Sequence, residues 1–165
     1  MTALQIVDIK SFMKKFLLTD SFDRFLLLEG SITTFNTFQI DGTLRKSYYS
    51  REEQDLLMER SLSLWGEVRP FCLELIKGKR TPLHFRFVMH LLPEKATALL
   101  VKNGCDVDPS LVRALVLNIR YDGSKAVLTT GTAYQTFVPS KEPDIIWDKA
   151  LAKYLDGKGI ACESL

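Results

Sequence analysis

The sequence predicts an α+β protein, built from one or more mostly antiparallel sheets with helices packed on one side. Three observations carry that expectation. The segment from Leu83 to Leu91 alternates with period two, setting Leu83, Phe85, Phe87, Met89 and Leu91 against His84, Arg86, Val88 and His90. Asp41-Gly42 and Asp122-Gly123 mark tight reversals between strand-like runs. Between those runs, apolar residues recur at helical spacing behind recognisable caps. With 165 residues, 46% apolar and 25% charged, the chain has the composition of one globular domain. That domain is expected over residues 1–157, with 158–165 as a flexible C-terminal tail.

Residues 2–7 read as a short strand. Asp8 then caps a helix to about Leu18, its apolar stripe formed by Ile9, Phe12, Met13, Phe16 and Leu17. Phe25–Leu28 begins a buried strand, bent or bulged at Gly30, which continues with Ile32, Thr34, Asn36, Phe38 and Ile40 on one face. A turn at Asp41-Gly42 should return Thr43–Tyr49 antiparallel. Ser50 with Glu53 forms a capping box, so the carboxylates of Glu52, Glu53 and Asp55 are expected to serve a helix N-terminus rather than a metal or acid–base site. This helix should run toward Leu64 with Leu56 and Leu57 inward. A second helix is predicted from about Val68 to Lys77, with Pro70 in its first turn and Gly78 as its stop.

Pro82 starts the alternating strand. Pro93 opens a helix to Lys102 that ends at Asn103-Gly104, and Asp108-Pro109-Ser110 makes a turn or short helix. Ala114–Tyr121 and Lys125–Thr130 read as a hairpin, with a bulge at Gly131 before Thr132–Val138. Glu142-Pro143 opens the last helix, whose stripe is Trp147, Ala150, Leu151, Tyr154 and Leu155 and whose end is Asp156-Gly157. Read coarsely, one strand–helix–strands plan is used twice, and Thr33-Thr34 with Phe38-Gln39 recur as Thr129-Thr130 with Tyr134-Gln135 at the same internal spacing.

That doubled unit resembles one domain of the DNA sliding clamps, although the segment from Arg51 to Lys77 is an insertion in that plan. The phrases LQIVDIKSFMKKFLL, SITTFNTFQIDG and IKGKRTPLHFRF look like those of a small bacterial family of unknown function. Neither resemblance implies an activity that can be carried to a residue here.

Charge and chemistry narrow the function classes. Lys and Arg total 22 against 20 Asp and Glu, a net +2 too near neutrality to specify a partner. Locally, however, Lys77, Lys79, Arg80 and Arg86 occur with no acid between Lys77 and His90, and with His84 they form a weak candidate surface for anions or nucleic acid. Cations at a helix C-terminus also complement its dipole, which accounts for part of the cluster without a ligand. Three widely spaced cysteines predict neither a disulfide framework nor a cysteine zinc site. His84 and His90 lie about 20 Å apart along an extended strand at ~3.3 Å per residue, too far to share a metal ion. No metal and no cofactor are expected, and no phosphate-binding glycine loop is present.

The N-terminus lacks a signal-peptide pattern and no apolar run could span a bilayer, so a cytoplasmic, non-membrane protein is expected. The reading preferred from sequence is a non-enzymatic module that binds another macromolecule, a protein or a second copy of itself. The alternatives are nucleic-acid binding through residues 77–86 and an enzyme site near His84 or His90.

Overall fold

The computed structural model describes residues 1–57 and 59–165. In chain order its elements are β1 (Ala3–Ile6), α1 (Ile9–Leu18), β2 (Leu26–Thr33), β3 (Thr37–Asp41), α2 (Arg51–Leu56), β4 (Ser63–Leu64), α3 (Trp65–Ile76), β5 (His84–His90), α4 (Pro93–Lys102), β6 (Val112–Tyr121), β7 (Ala126–Tyr134), α5 (Glu142–Gly157) and β8 (Cys162–Ser164). Short 3-10 turns occupy Lys46–Tyr48 and Pro109–Leu111. The strands make one sheet in the order β3-β2-β5-β6-β7-β1-β8, with β4 on the end of β2, and every pairing is antiparallel. The α+β class with its antiparallel sheet is as the sequence predicts.

One face of the sheet carries the core. Phe85, Phe87 and Met89 of β5 point to it, as their spacing requires, and meet Leu115, Leu117 and Ile119 of β6 and Leu128 of β7. Phe12 and Phe16 of α1, Trp65 and Cys72 of α3, Ala96 of α4, and Trp147, Leu151 and Leu155 of α5 complete the same cluster, so these four helices share a single side. At its centre Trp65 stacks on Phe16 with ring centroids 4.4 Å apart, and Phe87 meets Trp65 edge-on at 5.0 Å. Such pairs each add about 0.5–1.5 kcal/mol beyond the area they bury. Gly30 permits this arrangement. It faces Phe87 across the ladder, and a Cβ there would stand 2.6 Å from the Phe87 ring.

Local chemistry explains the elements that match expectation. The Asp8 carboxylate accepts from the Ser11 N–H at 3.0 Å at the start of α1. Ser50 and Glu53 form the reciprocal capping box of α2, at 3.2 and 2.8 Å. Gly104 adopts φ 63° behind α4, and Gly123 adopts φ 99° in the β6–β7 turn, where the Asp122 carboxylate gathers the N–H groups of Ser124 and Lys125.

Other expectations need correction. The run from Phe25 to Ile40 is a hairpin rather than one strand: it reverses at Thr34–Asn36, where the Thr34 N–H donates to the Asn36 carbonyl and the Thr33 and Thr37 hydroxyls meet at 2.9 Å. Asp41-Gly42 is therefore no hairpin turn, and Thr43–Tyr49 forms no returning strand beyond a single bridge from Thr43 to Leu62. The bulge of β2 falls between Leu27 and Glu29, not at Gly30, and the irregularity of the second hairpin lies between Val112 and Ala114, not at Gly131. α2 stops at Leu56, which is exposed, while Leu57 turns inward. α3 begins three residues before the expected Val68. The Glu67 carboxylate anchors its first turn by accepting from Leu64 N–H and Arg60, both at 2.8 Å. Pro70 thus lies beyond the first turn.

Leu83, assigned to the inner face by alternation, precedes the strand and is 62% exposed. Residues 158–165 are not a loose tail: Gly159 turns the chain at φ 69°, Ile160 is buried, and β8 pairs with β1. The doubled plan survives as order of elements but not as pairing. β5 lies between β6 of its own half and β2 of the other, whereas β1 pairs with β7 of the other half and with β8, and not with β2 or β3 of its own. The echoed Thr-rich phrases are not equivalent either, since Thr33–Phe38 spans a turn and Thr129–Tyr134 lies within β7.

The candidate binding face of the sheet

The second face of the sheet is set by the residues that alternate with the core positions. Across its middle run Gln39, Ser31, Arg86, Arg120, Val127, Gln5 and Glu163, each directly opposite the next in register. Arg86 and Arg120, both exposed, are therefore cross-strand neighbours. Like charges placed so repel. Arg86 has one relief, an ion pair from its Nη2 to Glu29 at 3.2 Å, with both partners more than half exposed. Arg120 is in no ion pair among the described residues. A shallow groove of ≈ 590 Å³ beside the β2 bulge is lined by Glu29, Ser31, Gln39, Asp41, Arg86 and Val88 among others.

The two ends of this face differ. Leu26, opposite His90 in register, belongs to a small buried cluster with Leu62 and Leu92, against which Leu64 packs. At that end His90 is half-buried, and desolvation holds its imidazole below the ordinary histidine value. At the other end nothing among the described residues covers His84, which lies exposed opposite Thr33. The Thr33 carbonyl accepts from the Leu83 N–H at 2.9 Å, so the exposed Leu83 adjoins the β2–β3 turn, where Phe35 is 86% exposed.

The five residues singled out from sequence are all exposed, but the fold does not gather them equally. Arg86 and His84 share the open face. Lys79 and Arg80 lie in the loop leading to it. Lys77 caps α3 on the helix side and pairs with Glu74 at 2.7 Å. Arg120, the cross-strand neighbour of Arg86, is reached only through the β5–β6 pairing and carries no local sequence signal.

Neither histidine is hydrogen-bonded to a nucleophile or a carboxylate among the described residues. Asp41 is held below the usual carboxylate range by the Thr43 N–H, which favours an ionised group over a proton donor. Cys72 is fully buried and its thiol is pushed up to about 12 by desolvation, so it stays protonated and inert. The sequence reading missed one cluster: ligand atoms of Cys105, Asp106 and Glu142 lie within 4.8 Å of one another. Its carboxylates are already engaged. Glu142 accepts from the Asp106 N–H at 2.8 Å, and Asp106 accepts from the Ser140 hydroxyl at 3.0 Å. Burial first, and then the two carboxylates, push the Cys105 thiol up, which opposes the thiolate a metal would need.

His90 has a measurable consequence. Its folded pKa lies below its unfolded value of about 6.5, so between the two the unfolded chain holds a proton that the folded one lacks. Stability therefore falls as pH drops through about 6.5 toward the folded pKa, by at most ~1.4 kcal/mol per pH unit. Urea midpoints at pH 7.0 and 5.5 should separate more for the wild type than for His90→Gln. Equal separations would contradict the burial assigned to His90.

The fold and this face define a class: an α+β protein whose helices close one side of an antiparallel sheet and whose other side is left partly open and arginine-bearing. The chain belongs to the family of unknown function DUF5721, whose sequence profile matches residues 15–163. No curated protein and no solved structure matches it. Among the described residues no helix is long and apolar enough to cross a membrane.

Proposed function

We propose that the chain is a non-enzymatic docking module that holds an acidic macromolecule against the open end of its sheet. Arg86 and Arg120 supply the central contacts, and Lys79, Arg80 and His84 flank the approach. The carrying observation is the Arg86–Arg120 juxtaposition on an uncovered face. Two neighbouring guanidiniums, of which only Arg86 has a carboxylate partner, favour a further anion, and their planar forks suit phosphate or carboxylate oxygens. Exposed ion pairs such as Arg86–Glu29 contribute little and are readily exchanged for a ligand.

A nucleic-acid partner is favoured by one further feature: Phe35 and Leu83 stand exposed at the same end, where an aromatic ring can stack on an unpaired base. Glu29, Asp41 and Glu163 on the same face weigh toward an acidic protein surface of mixed charge instead.

The test is fluorescence anisotropy of a labelled single-stranded oligonucleotide, and separately of poly-glutamate, across a salt series. Binding should weaken with salt, and Arg120→Gln should reduce the slope of log K against log salt by about 1. Loss of oligonucleotide affinity in Phe35→Ala supports the nucleic-acid version, and indifference to it supports the protein version. No binding of either probe at low salt removes the proposal. Self-assembly is read separately by light scattering, where a mass of 18.8 kDa speaks against it.

A further inference from the structure

A second unpartnered surface lies on the helix side, between α4 and α5. The groove there, ≈ 890 Å³, is lined by Leu99, Lys102 and Asn103 from α4 and by one flank of α5 from Glu142 to Lys158. Residues four apart on a helix form ridges. On α5 one ridge carries Ile145, Lys149 and Lys153, and the next carries Ile146, Ala150 and Tyr154. The floor is apolar: Leu99, Ile146, Ala150 and Tyr154 are half-buried, and Ile145 at the edge is 50% exposed. The rim is basic. Lys102, Lys149, Lys153 and Lys158 are all exposed and enter no ion pair among the described residues, and the Lys158 ammonium lies 5.5 Å from the Tyr154 ring centroid.

The charges on α5 are segregated. Asp144, Asp148 and Asp156 do not line the groove. The one carboxylate that does, Glu142, already accepts from the Asp106 N–H. Four lysines around an apolar strip, with the helix's own aspartates turned elsewhere, are not the interspersed charges of an ordinary solvated face.

We infer that this groove binds an acidic amphipathic helix presented by a protein partner, the apolar stripe of that helix on the strip and its carboxylates against the four lysines. From Ile145 to Lys158 α5 rises about 20 Å at 1.5 Å per residue, which matches three to four turns of a docked helix with anchors at i, i+3, i+4 and i+7. The lysines are strung along that length rather than converging on one point, as a small anion would need.

The experiment uses the full chain and a fluorescein-labelled 16-residue peptide with leucines at i, i+3, i+4 and i+7 and glutamates on the remaining face. Saturable binding is expected, weakened at least tenfold by Lys149→Glu/Lys153→Glu and by Ile145→Asp. Lys149→Gln alone, with an unaltered urea midpoint, guards against a variant that fails to fold and should weaken binding about threefold. The inference is overturned if binding is not saturable, if the lysine variants leave it unchanged, or if a scrambled peptide of the same composition binds equally. It is also overturned if phosphatidylglycerol vesicles compete fully, which makes the surface a membrane site, or if light scattering shows a dimer lost in Lys149→Glu/Lys153→Glu, which makes the groove an interface between copies.

Discussion

Trp65→Ala is expected to lower the stability of the protein by about 3–5 kcal/mol, the usual cost of emptying a fully buried large aromatic site. Trp65 has no exposed surface, stacks on Phe16, meets Phe87 edge-on, and donates its indole N–H to the Phe16 carbonyl at 3.1 Å. It therefore joins three elements: α1, the start of α3, and the central strand β5. Its backbone N–H also donates to the Phe25 carbonyl at 2.8 Å, beside the bidentate Arg69–Asp23 pair that holds α3 to the loop after α1. Trp65→Phe keeps a ring in the stack and loses mainly the hydrogen bond, so its cost should be smaller, about 0.5–1.5 kcal/mol plus the lost volume. Urea unfolding, read as a midpoint shift at constant m, separates the two. An alanine variant within ~1 kcal/mol of wild type would mean that this cluster is not the centre of the core.

Gly42→Ala is expected to be nearly as damaging, and for a reason that has nothing to do with turns. Gly42 sits where three segments converge: its N–H donates to the Leu28 carbonyl at 2.9 Å, and its carbonyl accepts from the Ser63 N–H at 2.8 Å. A Cβ at this position would overlap the Leu27 carbonyl oxygen and come within 3.1 Å of that of Leu28, both backbone atoms of the bulged strand β2. No rotamer change can relieve such a clash, so either β2 or the strand end must move, at about 1–3 kcal/mol or more. The local consequence is more telling than the global one. The Thr43–Leu62 bridge depends on this junction, so amide exchange at Leu44 and Ser63 should accelerate in Gly42→Ala while that of β6 and β7 stays slow. Unchanged protection at Leu44 and Ser63 would contradict the close approach.

Gly42 also shows where sequence reasoning reaches its limit. Asp-Gly carries the composition of a reversal, yet here the glycine serves backbone proximity, and the real reversal at Thr34–Asn36 has neither glycine nor proline to announce it. The strand β5 was legible because its inner and outer environments differ sharply, and a period of two is all that such a strand requires. The stripes of α1 and α5 and the capping box of α2 were legible for the same reason, since each is decided within a few residues. β8 was not, because its three residues gain order only from pairing with β1.

The candidate face was half legible. Arg86 could be placed outside from alternation alone, but its neighbour Arg120 arrives through pairing between distant strands, which one sequence does not encode visibly. Proximity along the chain misled in the opposite direction. Lys77 is near Arg86 in sequence, but the fold places it at the end of α3 and gives it Glu74. The lysine rim of the α4–α5 groove was hidden likewise, because Lys102 is remote from Lys149, Lys153 and Lys158 until the two helices are packed side by side.

The most direct test of the open arginine face is arginine-selective modification by phenylglyoxal, read by mass spectrometry with and without a saturating single-stranded oligonucleotide or poly-glutamate. Arg86 and Arg120 should react in the free protein and be protected together by at least one of the two polyanions, while Arg69, held bidentately by Asp23, should stay unreactive throughout. Arg86 and Arg120 reacting equally with and without both polyanions would contradict the account.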